Sequence, residues 1–532
     1  MDNNAIGKYI QEGKGILGIE FGSTRIKAVL IGDDHSPIAS GDHTWENRLE
    51  NGVWTYHLDD VWAGLQDAYA NMVKDVKAQY GVTLDALAGF GVSAMMHGYL
   101  PFDKDGRQLA EFRTWRNTMT GEAAAELTDL LGFNIPQRWS IAHLYQAMLN
   151  GEAHVKEIDH LTTLAGYVHW QLSGKKVLGT GEASGMFPLD SATGDYDQRM
   201  VDLFDALAAM KGYSWRLRDI LPAAISAGAD AGVLTAEGAK LVDPTGTLKP
   251  GALMAPPEGD AGTGMVATNS VAARTGNVSA GTSVFAMVVL EKPLSKVYPE
   301  IDMVTTPTGK PVAMVHCNNC TSDINAWAGV LKGFLEAAGH TISTNDLYTT
   351  IFNAALLGDK DCGGVVNVPY VSGEPVTDLA EGRPMVVRTQ DANLSFPNLA
   401  RSLVIGAMAS LKLGMDILER EHVKIDTLLG HGGYFKTPVV GQKLLAAALK
   451  TPVSVMETAG EGGPWGMALL GAYRVHKQDN ETLEDYLNRA VFATAKGSCE
   501  SPDYTDVTGI DAYTKRFVQA LEAEKAAANS IK

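Results

Sequence analysis

Apolar and polar positions fall into two recurring patterns along this chain. Between Gly15 and Ile31, the apolar runs Ile16–Ile19 and Ile26–Ile31 flank Gly22-Ser23-Thr24. The pattern predicts a β-hairpin with a small-residue tip. From Asp59 to Gly81, the residues Trp62, Leu65, Tyr69, Met72 and Val76 recur at spacings of three and four. That spacing predicts an amphipathic helix, with Asp59 as N-cap and Gly81 as its stop. Ala88–Ser93 is then a short strand that runs into Met95-Met96-His97-Gly98. Strand and helix alternate, so an α/β domain is expected. The first pattern returns at Arg274–Leu290, where two apolar runs flank Gly281-Thr282-Ser283. Setting Gly22 on Gly281 brings Phe285 onto Ile26, which suggests two halves of related architecture. Further on, Leu399–Leu418 reads as a helix rich in small residues. Gly430–Lys436 is a glycine turn after the apolar run Ile425–Leu429, and Gly460–Tyr473 is a second glycine turn leading into a helix.

Length adds a domain count to this picture. A chain of 532 residues is too long for one ordinary core, so two large domains are expected. Pro and Gly cluster at Pro250-Gly251 and Pro256-Pro257-Glu258-Gly259. The boundary is therefore placed near Pro256, giving domains 1–266 and 267–532. Hydrophobic residues at 45% and charged residues at 20% are ordinary for a globular protein. The formal net charge of -18 repels phosphate backbones and anionic membranes, so neither nucleic acid nor membrane is expected as a partner. A local phosphate pocket made of backbone N–H groups and a bound cation remains compatible with that charge. No apolar run reaches membrane-spanning length, Met1–Lys14 lacks a secretory layout, and four cysteines make no disulfide framework. A cytoplasmic location is the resulting expectation.

The chemistry must come from the turns. There is no Walker A sequence, which excludes a P-loop. Polyphosphate can instead be held by hairpin tips whose backbone N–H groups face it, and only small residues allow that approach. Gly22-Ser23-Thr24 and Gly281-Thr282-Ser283 meet the requirement, and their hydroxyls add donors. Glu20, just before the first tip, is placed to hold Mg²⁺ directly or through water, because Mg²⁺ takes one or two carboxylates plus phosphate oxygens and waters. The plainer reading of Glu20 is a strand-end acid facing solvent. Asp260 lies in Glu258-Gly259-Asp260-Ala261-Gly262-Thr263-Gly264. A carboxylate among glycines can reach a substrate hydroxyl, orient it and take its proton as a P–O bond forms. Its plainer reading is a turn aspartate. Cys317-Asn318-Asn319-Cys320 has no second ligand pair nearby in sequence and is read as plain loop cysteines. Of the nine tryptophans, Trp54 and Trp115 are the candidates for facing a small-molecule ligand, and core or rim packing is the plainer reading of each.

The ordered set GIEFGSTRIKAVL, SAMMHG, EGDAGTGMVA, SAGTSVFAMV, the glycine turn at Gly430–Gly433 and EGGPWGMALLGAY resembles the FGGY carbohydrate kinases, from about Gly15 to Tyr513. The resemblance implies two actin-like, ribonuclease-H-like α/β domains with a cleft between them. Sugar would lie on the first domain and ATP on the second, with Mg²⁺ as companion ion. It makes Asp260 look like the catalytic base. Gly22, Ser23, Thr24 and Arg25 look like one phosphate loop and Gly281, Thr282 and Ser283 like the other. Gly432 and Gly433 look like part of the adenosine-side loop. Met96-His97-Gly98 is most similar to the substrate motif of xylulose kinases, and gluconate kinases of the family carry a related Met-His pair. Trp115 and Asn117 fall in the adjoining substrate segment. Homodimers are common in similar proteins, but no segment here displays an interface.

Several positions depart from the family pattern. Glu20 stands where Asp is usual, and Trp115-Arg116-Asn117 stands where xylulose kinases read Trp-Asn-Asp. Ala261 replaces an expected Asn, and the lysine-bearing signature is poor around Thr163–Gly174. These changes point to a divergent branch. The expected activity is transfer of the ATP γ-phosphoryl group to a small sugar, a ketopentose such as xylulose first and gluconate or another polyol next. An actin-like or chaperone-like ATPase without a sugar acceptor, and a silent sugar sensor, stay open on sequence grounds.

Overall fold

The computed structural model describes residues 2–457 and 462–531. The chain divides into two compact units. The first comprises Met1–Val271, Met303–Val312 and Glu461–Thr494, and the second comprises Ala272–Asp302, Ala313–Gly460 and Ala495–Lys532. The units are therefore not two consecutive halves. The stretch 461–494, assigned by the sequence to the second domain, groups with the first. Gly460 and Glu461 of the second glycine turn lie outside the described residues.

The first unit is built on a sheet with strand order Leu253–Met254, Gly89–Ala94, Ile16–Phe21, Arg25–Ile31, Pro37–Thr44, with Glu258–Gly259 also pairing on Gly89–Ala94. Ile16–Phe21 and Arg25–Ile31 form the expected antiparallel hairpin. The helix expected from Asp59 spans Leu58–Tyr80 and ends at Gly81, whose φ of 70° accommodates the left-handed stop. Val61, Leu65, Tyr69, Met72 and Val76 are buried in the same core as Leu17, Ile19, Phe21, Ile26 and Leu30. The helix Gly462–His476 also packs on this sheet. A Cβ on Gly18 would overlap its backbone at Pro464 and Ala468, and one on Gly91 would overlap Met467. Glycine at those two strand positions is what lets the helix lie so close.

In the second unit, Val284–Val289, Thr275–Ala280, Thr427–His431, Val453–Met456 and Gly497–Glu500 are neighbours in that order. Thr275–Ala280 pairs antiparallel with Val284–Val289 and parallel with Thr427–His431. The predicted small-residue helix runs over Phe396–Arg420 and is buried along most of its length. Both units are thus α/β, with a hairpin opening each sheet.

Candidate active site

Register fixes the site in the first unit. Three strands run parallel there: Ile16–Phe21 beside Gly89–Ala94, and Glu258–Gly259 beside Gly89–Ala94. The partners are Phe21 with Ala94, and Gly259 with Ala94. Each strand ends at that level, so the next residues of all three emerge together: Gly22, Met95-Met96 and Asp260. In open α/β sheets this carboxyl end of the strands is where ligands bind.

Asp260 opens the helix Asp260–Ala267. Its Oδ1 accepts the Met96 N–H at 3.2 Å and the Ala261 N–H at 2.9 Å. Water reaches the side chain, yet the protein crowds it from behind and pushes the carboxyl up to about 6. Glu20 is half-buried and is pushed up to about 7, by burial first and by the charge of Asp260 second, with Lys27 opposing. Asp260 ionises first, so its field acts on Glu20 while Glu20 still holds its proton. Against the other side of Glu20, a Cβ on Gly463 would overlap its Oε2. A carboxylate and a neighbouring carboxyl that its charge raises suit a divalent cation arriving with phosphate oxygens. Among the described residues, no group of three or more His, Cys, Asp or Glu could hold a metal by itself.

The tip Gly22-Ser23-Thr24 is held by its carbonyls. Gly22 O accepts Trp45 Nε1–H at 2.7 Å, Ser23 O accepts the Tyr56 hydroxyl at 2.6 Å, and Thr24 O accepts the Trp45 N–H at 3.2 Å. The Trp45 and Tyr56 rings stack with centroids 4.2 Å apart. Trp115 Nε1–H donates to Ser23 Oγ at 3.3 Å. Arg25, expected at phosphate, forms an exposed ion pair with Asp42 at 3.2 Å.

His97 takes a left-handed backbone with φ 71°, and Gly98 follows at φ 100°. The His97 ring is buried and stacks on Trp139. Arg138 Nε–H donates to His97 Nε2 at 3.3 Å, and an arginine nitrogen can only donate. The ring proton is therefore on Nδ1, which donates to Gly185 O at 3.0 Å. Asn117 was expected at the sugar, but its amide is committed to the protein. Oδ1 accepts the Trp54 N–H, and Nδ2 donates to Trp54 O and Thr114 O, all within 3.0 Å. What Asn117 orients is Trp54, whose ring carries the Arg116 guanidinium 3.8 Å from its centroid.

Sequence reasoning missed a pair of buried carboxyls behind Asp260. Glu258 accepts the Gly181 N–H at 3.3 Å and the Glu182 N–H at 2.9 Å, and burial pushes it up to about 8. Glu182 is fully buried and is pushed well above the usual carboxylate range by burial, with the Glu258 and Asp260 charges adding to it. The visible signal was an acid inside the small-residue run Gly179-Thr180-Gly181-Glu182-Ala183-Ser184-Gly185.

In the second unit, the tip Gly281-Thr282-Ser283 and the turn Gly432-Gly433 meet at one end of adjacent strands, because Ser279 pairs with His431. Gly432 has φ 103°, and a Cβ there would overlap the Ala280 carbonyl. Gly281 O accepts the Thr321 N–H at 3.0 Å and its hydroxyl at 2.7 Å, and Thr282 O accepts the Cys320 N–H at 3.0 Å. Cys317 and Cys320 are buried free thiols, both pushed up by burial.

Models of the FGGY family of carbohydrate kinases match this chain over residues 15–246 for the N-terminal domain and 276–475 for the C-terminal domain. The chain belongs to that family. It is a carbohydrate kinase, a phosphotransferase with an alcohol group as acceptor and ATP as the implied donor. A xylulose kinase from Haemophilus influenzae is 21% identical over 474 residues, covering 84% of this chain and 91% of that protein. Among solved structures, a xylulose kinase from Rhodospirillum rubrum aligns with TM-score 0.77 at 16% identity, covering 97% of this chain and 100% of that one. A gluconate kinase from Lactobacillus acidophilus aligns with TM-score 0.77 at 18% identity, covering 97% and 99%. The fold is thus the two-domain actin-like, ribonuclease-H-like fold of FGGY kinases. The ATPase-only and silent-sensor readings give way to a carbohydrate kinase. No helix among the described residues is long and apolar enough to cross a membrane.

Proposed function

We propose that this carbohydrate kinase phosphorylates a hydroxyl of a small sugar, a ketopentose such as xylulose before others, with Asp260 as the base. The observation that carries the reading is the convergence of Gly22, Met96 and Asp260 at one end of three paired strands, with Met96 N–H bound to Asp260 Oδ1 at 3.2 Å. One carboxylate oxygen is fixed by that contact, which aims the group at an acceptor hydroxyl. Asp260 orients the hydroxyl and takes its proton as the new bond to the γ-phosphorus forms, and the bond to the departing ADP oxygen breaks. Met96, His97, Gly98 and Trp115 line the sugar side, and Asn117 acts there through Trp54. Gly22–Arg25 serves phosphate in the first unit. Gly281–Ser283 with Gly432 and Gly433 holds ATP on the second. Mg²⁺ carried by the nucleotide would neutralise phosphate charge, with Glu20 as its protein ligand, directly or through water.

Gluconate is the second reading. Arg138 places a guanidinium on His97, and such a cation suits an acceptor bearing a carboxylate. The test is ADP release from MgATP against D- and L-xylulose, D- and L-ribulose, L-erythrulose, gluconate, glycerol and buffer, with Asp260→Asn alongside. One sugar should stimulate the wild type strongly. The variant should lose about 10²–10⁴-fold in turnover while still binding nucleotide. Equal turnover in Asp260→Asn removes Asp260 from the mechanism, and no stimulation by any sugar removes these acceptors.

A further inference from the structure

Two chain segments far apart in sequence are latched behind Asp260. Gly179 N–H donates to Pro257 O at 2.8 Å, and Glu258 accepts the N–H groups of Gly181 and Glu182. In return, the Glu182 carboxyl lies on Gly259, where a Cβ would overlap its Oε2. The segment carrying Glu182 is braced on its far side. Thr305 N–H donates to Ser184 Oγ at 3.0 Å, and the Thr180 hydroxyl donates to Pro307 O at 2.8 Å. Three residues on, Gly185 O holds His97. One short segment thus touches both the residue before the base and the histidine beside it.

Glu182 is 0% exposed, and neither carboxyl oxygen has a hydrogen-bond partner. The Thr163 hydroxyl lies near enough to oppose the upward push on this carboxyl, but no hydrogen bond of proper geometry joins them. Leaving a buried polar group unpaired is costly, so folding alone gives no reason for an acid at this position. The mechanism above does not use it either.

We propose that Glu182 is a positioning residue whose carboxyl, seated against Gly259, sets the height and orientation at which the following Asp260 meets the acceptor. The inference rests on Asp260 being the base. The charged and titratable groups facing Glu182 are Glu258 and Asp260 from the latched segment and Tyr196, whose hydroxyl is itself pushed up partly by Glu182, with the polar hydroxyl of Thr163, the N-cap of the helix Leu164–Ser173, beside them. Burial and the charges of Glu258 and Asp260 favour the protonated acid against the opposing Thr163 hydroxyl, and glutamine keeps a neutral polar group of that shape where methionine does not.

The experiment compares Glu182→Gln, Glu182→Met and Asp260→Asn in the full chain with MgATP and the best acceptor from the panel, from pH 6 to pH 9. Glu182→Met keeps the volume and should lose about 10–100-fold in kcat with KM for ATP unmoved. Glu182→Gln should recover most of that loss, and its rate should fall off at higher pH than the wild type because it cannot ionise. Infrared spectra should contain protonated-carboxyl C=O absorption at neutral pH that loses one component in Glu182→Gln, the remainder belonging to Glu258 and Glu20. Equal kcat in Met and Gln variants with unchanged pH profiles overturns the proposal, as does absorption that loses no component in Glu182→Gln. If Asp260→Asn keeps its turnover, the reading of Asp260 as base fails first. Loss confined to Asp260→Asn leaves that reading standing and sinks Glu182 alone. Should the methionine variant not fold, the glutamine pH profile and the infrared band decide.

Discussion

In the first unit, the tip carbonyls of Gly22 and Ser23 are taken by side-chain donors of Trp45 and Tyr56, while in the second, Gly281 and Thr282 are bound by backbone N–H groups entering the helix that begins at Thr321. The composition of the two tips is nearly the same, and their surroundings are not. The first stands among carboxyls, Glu20 and Asp260 above all. The second stands against Gly432, which is pressed onto Ala280. On the proposed function, one tip stands where protons can be moved and the other where a bulky ligand can be gripped by backbone. A shared supersecondary unit is set in two different surroundings, and the proposal gives it two tasks.

Apart from the loss of turnover in Asp260→Asn, the comparison breaks most sharply at Gly432. Valine there must adopt a left-handed backbone and displace Ala280, a strain of about 1–3 kcal/mol. We expect about tenfold or greater loss of MgATP affinity by calorimetry, with sugar binding retained. Next comes pH. As the proposed base, Asp260, pushed up to about 6, would act only when deprotonated, so kcat/KM should fall about tenfold per unit below that value. A rate level down to pH 4.5 would exclude it as the base.

A smaller effect concerns Glu258. Its carboxyl is raised to about 8 in the fold from an unfolded value near about 4.3. The neutral form is the one the fold favours, so its contribution is fully present below the unfolded value and is lost as pH rises toward 8. Each unit of that window corresponds to about 1.4 kcal/mol before solvent and coupling reduce it. Glu258→Gln cannot ionise, so its melting temperature should drop less than the wild type's between pH 5 and pH 8, although its single amide oxygen serves only one of the two N–H groups that Glu258 accepts. The smallest effect tests the aromatic support directly. Tyr56→Phe removes one donor to Ser23 O and should cost about 0.5–1.5 kcal/mol in denaturant unfolding.

Much of this was legible in the chain. Local patterns carried both hairpins, the helix ending at Gly81 and the glycine-flanked Asp260, because their causes lie within a few residues. The support around them was not legible. Trp45 and Tyr56 reach the tip from outside its hairpin, and nothing in their spacing marks them as donors to it. Glu182 sits in a run of small residues with no periodicity, and its burial follows only from the pairing of distant segments. His97 and Asn117 were visible as polar residues near a substrate motif. That their nitrogens and oxygens are committed to Arg138, Gly185 and Trp54 depends on partners that local sequence does not name.

The return of 461–494 to the first unit bears on how the molecule is made. The helix Gly462–His476 covers the sheet that begins at Ile16, so during vectorial synthesis the first sheet emerges long before its cover. Gly18 and Gly91 then present a bare apolar face until nearly nine-tenths of the chain has left the ribosome. A product stopped between residues 272 and 460 would keep the base, the first hairpin and the Met96 segment, yet expose the surface on which they are mounted. Chains interrupted there are the ones expected to need a holding chaperone.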